Sequence, residues 1–461
     1  MPHVTRTLAE WAAATRPEDL PPEVVAAAKR FLLDSVGCAL GGAQQHDVHL
    51  ARSVLYEIAG VGEATVLVTG ERMDVVSAAL LNSLMIRVMD YNDIYWKQDP
   101  SHPSDLIPAA LATAERSHAS GLELLLGIAI GYEVEQRLCE VAFPGIREIG
   151  WHHATLTAVA SPVVAGRMLG LPADKIQHAI GISASRHCTT GSVTAGKLTM
   201  MKNTVDPLAT QSGVLAALLA ERGYTGPEHV LDGKEGFGHV LKTEWHWDIL
   251  TEGLGASWRI LQCGMKSFPT EALTHTPISA VLDLVITHDL EPESVDSITI
   301  HSLARAADIL ADPSKYDPRS KETADHSLPY VVAAALVDRQ VTPRQFTDER
   351  IMDPVIRAQL PKVKVLADPE IESVFPALQR VRVEVRTTDG RTFERQLDYP
   401  KGDYRNPMTD AEIRAKMEAL AVGIASPETV ERMASSVART EGFDDVGELM
   451  ANLVAVRPQV D

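Results

Sequence analysis

Cysteine is scarce: four in 461 residues, with no CxxC pair among them. That excludes a disulfide-stapled fold and leaves no obvious thiolate ligand set. Cys38, Cys139, Cys188 and Cys263 all sit in apolar or helix-like surroundings and are expected to be buried, reduced thiols. An iron–sulfur centre of the aconitase type needs several thiolates in one place, which four scattered ones make improbable. Aromatics make up only 5% of the chain, which favours close packing of alanine-rich helices over a sandwich or barrel. Positive charge is also short, with 43 Lys and Arg against 62 Asp and Glu, a net charge of −19. Such a chain is a poor partner for nucleic acid or anionic membranes. Residues 1–10 have no apolar signal core, and the richest apolar stretch, 122–131, is far too short to span a bilayer. A soluble cytoplasmic protein is expected. The chain has no GxGxxG after a strand, no GxxxxGK[ST], no HExxH or paired Cys/His spacing and no GxSxG elbow. A nucleotide fold, a zinc site and an α/β-hydrolase are therefore not expected.

The length predicts two domains. After Pro21-Pro22, the residues Val24, Ala28, Phe31, Leu32, Val36 and Ala39 recur at helical spacing until Gly41-Gly42. Similar patterns predict helices near 74–89, 105–118, 122–142, 154–169, 173–186 and 204–222, the last ending at Gly223. Past about residue 275 the texture changes. Residues 297–301 and 380–386 alternate between apolar and polar, Val363 and Val365 do the same, and Asp389-Gly390 marks a hairpin into 393–397. The reading is a mainly α protein. A large all-helical domain spans 1–275 and is completed by C-terminal helices over 406–461; a smaller α+β lid domain spans 276–405.

Polar clusters interrupt the helical pattern. Asp90-Tyr91-Asn92-Asp93 closes one apolar helix, and Ser101-His102-Pro103-Ser104-Asp105 opens the next. Helix capping would account for Ser104 and Asp105 but not for Asp90 and Asp93. Gly150-Trp151-His152-His153 precedes a helix of small residues, and Lys197 and Lys202 lie among apolar neighbours. Lys266 sits in Gly264-Met265-Lys266-Ser267-Phe268-Pro269, and Asp325-His326-Ser327-Leu328-Pro329-Tyr330 enters another apolar helix. Taken singly, each has an ordinary alternative as a solvated turn, a surface histidine or a snorkelling lysine.

Taken in order these segments resemble the MmgE/PrpD family, together with Leu32-Leu33-Asp34-Ser35-Val36-Gly37, Gly223-Tyr224-Thr225-Gly226-Pro227 and Tyr399-Pro400-Lys401-Gly402-Asp403. Its members include 2-methylcitrate dehydratase, cis-aconitate decarboxylase and iminodisuccinate epimerase. The resemblance implies a homodimer, a di- or tricarboxylate substrate, and a site at the domain boundary with no metal and no organic cofactor. Carried over residue by residue, it implies Asp90, His102, Lys202, Lys266 and Tyr330 as active-site residues, with either His152 or His153. Asp93, Ser101, Lys197 and His326 are the candidates for binding substrate. Ile94 stands where relatives often have threonine, and Met201-Lys202-Asn203-Thr204 departs from the aromatic-Lys-Gly pattern of methylcitrate dehydratases. The Asp90-to-His102 step, the Gly-Trp-x-His pattern and Asp325-His326-Ser327 resemble the dehydratases more than the decarboxylases.

Dehydrating a β-hydroxy acid needs a base for a carbon-bound proton, cations for the charge that builds on the carboxylate, and an acid for the leaving hydroxyl. Lys202 and Lys266 suit the second task, His102 and the Gly-Trp histidine the first and third. Tyr330 could donate to the hydroxyl, and Asp90 could orient a histidine or lysine. The expected function is a cofactor-independent lyase that dehydrates a citrate-like tricarboxylate such as 2-methylcitrate. A cis-aconitate-type decarboxylase, an iminodisuccinate-type epimerase and a non-catalytic carboxylate-binding protein are the alternatives.

Overall fold

In the computed structural model, which describes residues 3–195 and 198–455, helical periodicity becomes helix after helix. They are α1 (Val4–Ala14), α2 (Pro22–Gly42), α3 (His46–Ile58), α4 (Val75–Arg87), α5 (Ile107–Ser117), α6 (Gly121–Leu138), α7 (Ala154–Met168), α8 (Ala173–Ala184) and α9 (Met201–Glu221). The protein is mainly α, and most boundaries fall within a few residues of the apolar pattern. Helix α9 starts earlier than the pattern, because Lys202 and Asn203 are buried although polar. It stops before Gly223, whose φ of 88° is a left-handed value that glycine adopts without strain.

Two compact units divide the chain: 3–195, 200–263 and 409–455 form the first, and 198–199 with 264–408 the second. In the first, α4, α7 and α8 all pack on α9. Ala154 and Ala158 of α7 meet Val205 and Ala209 of α9 in a buried seam of small side chains. A Cβ added at Gly213 of α9 would collide with Ser161 of α7, so this approach depends on the missing side chain. Helix Asp410–Leu420 packs on α2. Its buried Lys416 lies 2.7 Å from Asp34 and donates to the Tyr91 carbonyl at 2.6 Å. The C-terminal segment thereby fixes the loop after α4.

In the second unit, strands Val295–Ser302, Val363–Ala367, Val381–Thr387 and Thr392–Leu397 form one sheet. Val295–Ser302 and Val381–Thr387 are its central, antiparallel pair, with Thr392–Leu397 antiparallel on one edge and Val363–Ala367 parallel on the other. Val383 faces Ile300 and Val385 faces Ile298, so the alternating residues supply one buried face. Helix His275–Thr287 covers the sheet and packs on helix Leu328–Asp338. Cys38, Cys139 and Cys263 form no disulfide and are buried as expected, but Cys188 is exposed, because it follows the end of α8 in a surface turn. Among the described residues no helix is long and apolar enough to cross a membrane.

Candidate functional site

The first unit buries an unusual concentration of charge where α4, α6, α7 and α9 meet. Helix α4 carries no ionisable residue until its last, Arg87, whose guanidinium is buried. Nη1 donates to Asp90 Oδ1 at 2.6 Å, while Nε lies 3.6 Å from Asp105 and 3.8 Å from Asp206. Burial alone would weaken the Arg87 charge, but the three carboxylates hold it firmly protonated. Asp90 takes a left-handed φ of 52°, which turns its carboxylate back between Arg87 and Lys202; Lys202 Nζ donates to Oδ2 at 3.0 Å. Asp90 thereby stands between two buried cations, Arg87 and Lys202.

Asp93 performs a local task. Its two oxygens accept from the Ser104 hydroxyl at 2.6 Å and the Ser104 backbone N–H at 3.0 Å, pinning the turn Pro103–Leu106. Ser104 and Asp105 do not cap that turn with their own side chains, since Asp93 has already satisfied its amide. Burial pushes the Asp93 carboxyl up to about 6 against the hydrogen bonds from Ser104. Its carbonyl accepts from His102 Nδ1 at 2.6 Å. A carbonyl only accepts, so Nδ1 carries the proton, and in the neutral ring Nε2 is the basic nitrogen. Ser101 is buried in the short hairpin with Tyr95 opposite it.

The adjacent histidines separate. His152 Nδ1 accepts the Ala154 N–H at 3.1 Å at the start of α7. Burial, and then the neighbouring His153, push His152 well below the usual histidine range, so it is neutral at pH 7. His153 instead faces the charge cluster: its ring centre is 5.5 Å from that of His102, and Nε2 is 3.3 Å from Asp206 Oδ2. His152, His153 and Asp206 are close enough to contact a single metal ion. Two features oppose that use: His152 Nδ1 already serves the helix, and the Arg87 guanidinium stands 3.8 Å from the same Asp206 oxygen.

The second unit holds the remaining candidates described. Lys266 is buried and donates to the Thr270 carbonyl at 3.0 Å. Both its neighbours are tied to the 401–402 loop, Met265 N to Gly402 O at 2.9 Å and Ser267 Oγ to Lys401 O at 3.0 Å. His326 Nδ1 meets Asp325 at 2.6 Å, and the same carboxylate takes Lys321 at 3.1 Å. Tyr330 is fully buried and its hydroxyl donates to the Gln345 carbonyl. Lys197 lies outside the described residues.

Asp90, Asp93, Ser101, His102, His153 and Lys202 thus occupy one buried region of the first unit. Sequence reasoning missed Arg87, Glu135 and Asp206, and saw in Asp105 only a cap. The signal was weak: Arg87 is the one ionisable residue of α4, but Glu135 and Asp206 share their helices with other charges. Burial raises Asp105 and Glu135 well above the usual carboxylate range, with the charge of Asp206 adding to both. At Asp206 the opposing pull of His153, His152 and Arg87 outweighs burial and lowers it instead.

Comparison with known proteins agrees with this picture. Residues 6–250 match the MmgE/PrpD N-terminal domain and residues 268–441 the MmgE/PrpD C-terminal domain. The chain is 27% identical to the cis-aconitate decarboxylase-like protein oryM of Aspergillus oryzae, over 97% of both chains. It is 28% identical to the cis-aconitate decarboxylase of Homo sapiens, over 95% of this chain and 92% of the relative. With the 2-methylcitrate dehydratase of Cupriavidus necator it shares 26% identity, over 82% and 81%. The two domain matches, in order and across most of the sequence, establish that the chain belongs to the MmgE/PrpD family.

Proposed function

We propose that the protein is a cofactor-independent lyase that removes water from a citrate-like tricarboxylate, 2-methylcitrate being the type substrate, by proton transfer between side chains. What supports this reading most is the pairing of two buried histidines with unlike partners, His102 on a neutral carbonyl and His153 beside a carboxylate. Groups whose surroundings differ in this way divide into base and acid. His102, with Nε2 basic, removes the proton on the carbon next to a substrate carboxylate. His153 delivers a proton to the departing hydroxyl. Lys202 and Lys266 offset the negative charge that gathers on the substrate carboxylate. Tyr330, already donating to Gln345, is read as part of the second unit's scaffold.

Decarboxylation of a cis-aconitate-like acid is the second reading. It is favoured by the longer match to decarboxylases, 97% of the chain for oryM against 82% for the Cupriavidus necator dehydratase. Incubation with 2-methylcitrate, citrate, cis-aconitate and iminodisuccinate separates the two. Rising unsaturated-acid absorbance without CO2 is the expected result; CO2 release from cis-aconitate selects the second reading. Failure to act on any of the four would overturn both. Exhaustive chelation is expected to leave turnover intact, and loss restored by added metal would contradict a cofactor-free reaction.

A further inference from the structure

Asp206 enters the scheme above only as the carboxylate beside His153, yet its position is costly. It lies one turn after Lys202 on α9, so the two share a helix face, and it is 1% exposed. Around it are Asp90, Asp105 and Glu135, with Arg87 and Lys202 as the neighbouring cations. Asp90 already takes both, at 2.6 and 3.0 Å. One more carboxylate in this company is expensive unless its charge is used. Burial would raise it, as it raises Asp105 and Glu135, but His153, then His152 and Arg87, hold Asp206 well below the carboxylate range. Beside Asp90, which the two cations hold, the carboxylate favoured as an anion is therefore the one that faces His153.

His153 supplies the second observation. Its side chain is buried, and Nδ1 has no hydrogen-bond partner among the described residues. Buried ring nitrogens are rarely left so, and one that is marks either strain or a place for a ligand. Nε2 has no partner of full hydrogen-bond geometry either, but it lies 3.3 Å from Asp206 Oδ2, within ion-pair range, so the two nitrogens have distinct surroundings.

We propose that Asp206 is a positioning residue that holds His153 by Nε2 and thereby makes Nδ1 the atom that exchanges a proton with substrate. This rests on the lyase reading. In the resting pair Nε2–H points at the carboxylate. When Nδ1 bears a proton the ring is an imidazolium, and the Asp206 charge stabilises it without itself taking the proton. When Nδ1 gives that proton to the departing hydroxyl, water leaves and the ring returns to neutral with Nε2–H intact. His102, whose partner is an uncharged carbonyl, takes the carbon-bound proton; moving it back to Nδ1 of His153 closes the cycle. The arrangement follows the general logic of a carboxylate that fixes a histidine's tautomer and steadies its cation.

Two measurements test this, one independent of turnover. Asp206→Asn keeps the shape and removes the charge. With whichever acid the wild type converts, kcat should fall about a hundredfold or more while KM moves less than about threefold, and Asp206→Glu should recover part of the loss. Proton NMR of the wild type should show a downfield ring N–H that disappears in His153→Gln and in Asp206→Asn. Wild-type turnover in Asp206→Asn, or no such resonance in the wild type, would overturn the pair. If the wild type converts none of the acids, the lyase reading fails, and the resonance alone decides whether Asp206 holds His153. Should Asp206→Asn not fold, the wild-type resonance and its loss in His153→Gln decide in the same way.

Discussion

The two units hold their buried candidate residues by different means. In the first, Arg87, Asp90, Lys202, His153 and Asp206 are joined side chain to side chain across three helices. In the second, Lys266 and Tyr330 donate to backbone carbonyls, and Lys266 is flanked by backbone bonds to the 401–402 loop. A network of charges fails when one charge is removed. A cation held by backbone fails when the backbone is displaced. The two regions therefore differ in which substitutions they tolerate.

The largest effect is expected at the centre of the charge network. Arg87→Met leaves Asp90, Asp105 and Asp206 without their shared cation, and stripping one partner from a buried pair costs about 3–5 kcal/mol. Urea unfolding should register it; an unchanged midpoint would mean that Lys202 alone neutralises the group. Next is Asp93, whose folded pKa of about 6 stands above its unfolded value of 3.8. A carboxyl raised on folding stabilises the native state fully below about pH 4, and that contribution is lost as pH rises through about 6. The difference of roughly 2 units corresponds to about 3 kcal/mol. Relative to Asp93→Asn, the wild type should lose about that much stability between pH 4 and 7; parallel pH profiles would contradict it.

In the second unit the sensitive position is Gly402. Its φ is 94°, and an added Cβ would strike the Met265 carbonyl. Gly402→Ala should cost about 1–3 kcal/mol and reduce turnover together with it, because the loop that flanks Lys266 must move. Stability loss with full turnover would show that this loop does not position Lys266. The smallest effect is expected at exposed Lys234, where an alanine should change stability by less than about 0.5 kcal/mol and leave turnover intact.

Much of this was legible in the sequence because burial writes a period. Helices α2 and α4 to α9, and the alternating strands Val295–Ser302 and Val381–Thr387, follow their apolar residues closely; α3 was not read, since only Val48 and Leu55 of it are buried. The polar motifs at 90–93, 101–105 and 152–153 were legible because they break that period in clusters. Arg87, Glu135 and Asp206 were not, because an ionisable residue on a helix has the spacing of an ordinary surface residue whichever way it points. Only the packing of α4 and α7 against α9, and of α6 against α7, turns it inward. His152 and His153 could not be told apart for a related reason: adjacent residues at a helix start point in different directions, and that direction is set by the turn. Here the turn spends His152 on the Ala154 amide and leaves His153 to face Asp206.

The central claim is that His102 removes a proton from carbon. Its most direct test is solvent exchange: the converted acid is incubated with enzyme in D2O, and loss of the C–H signal next to the carboxylate is followed by proton NMR. The account predicts exchange with wild type and a rate at least about a hundredfold lower with His102→Gln, the scale of a lost acid–base group, in a protein that melts as the wild type does. Equal exchange rates in the two proteins would contradict it.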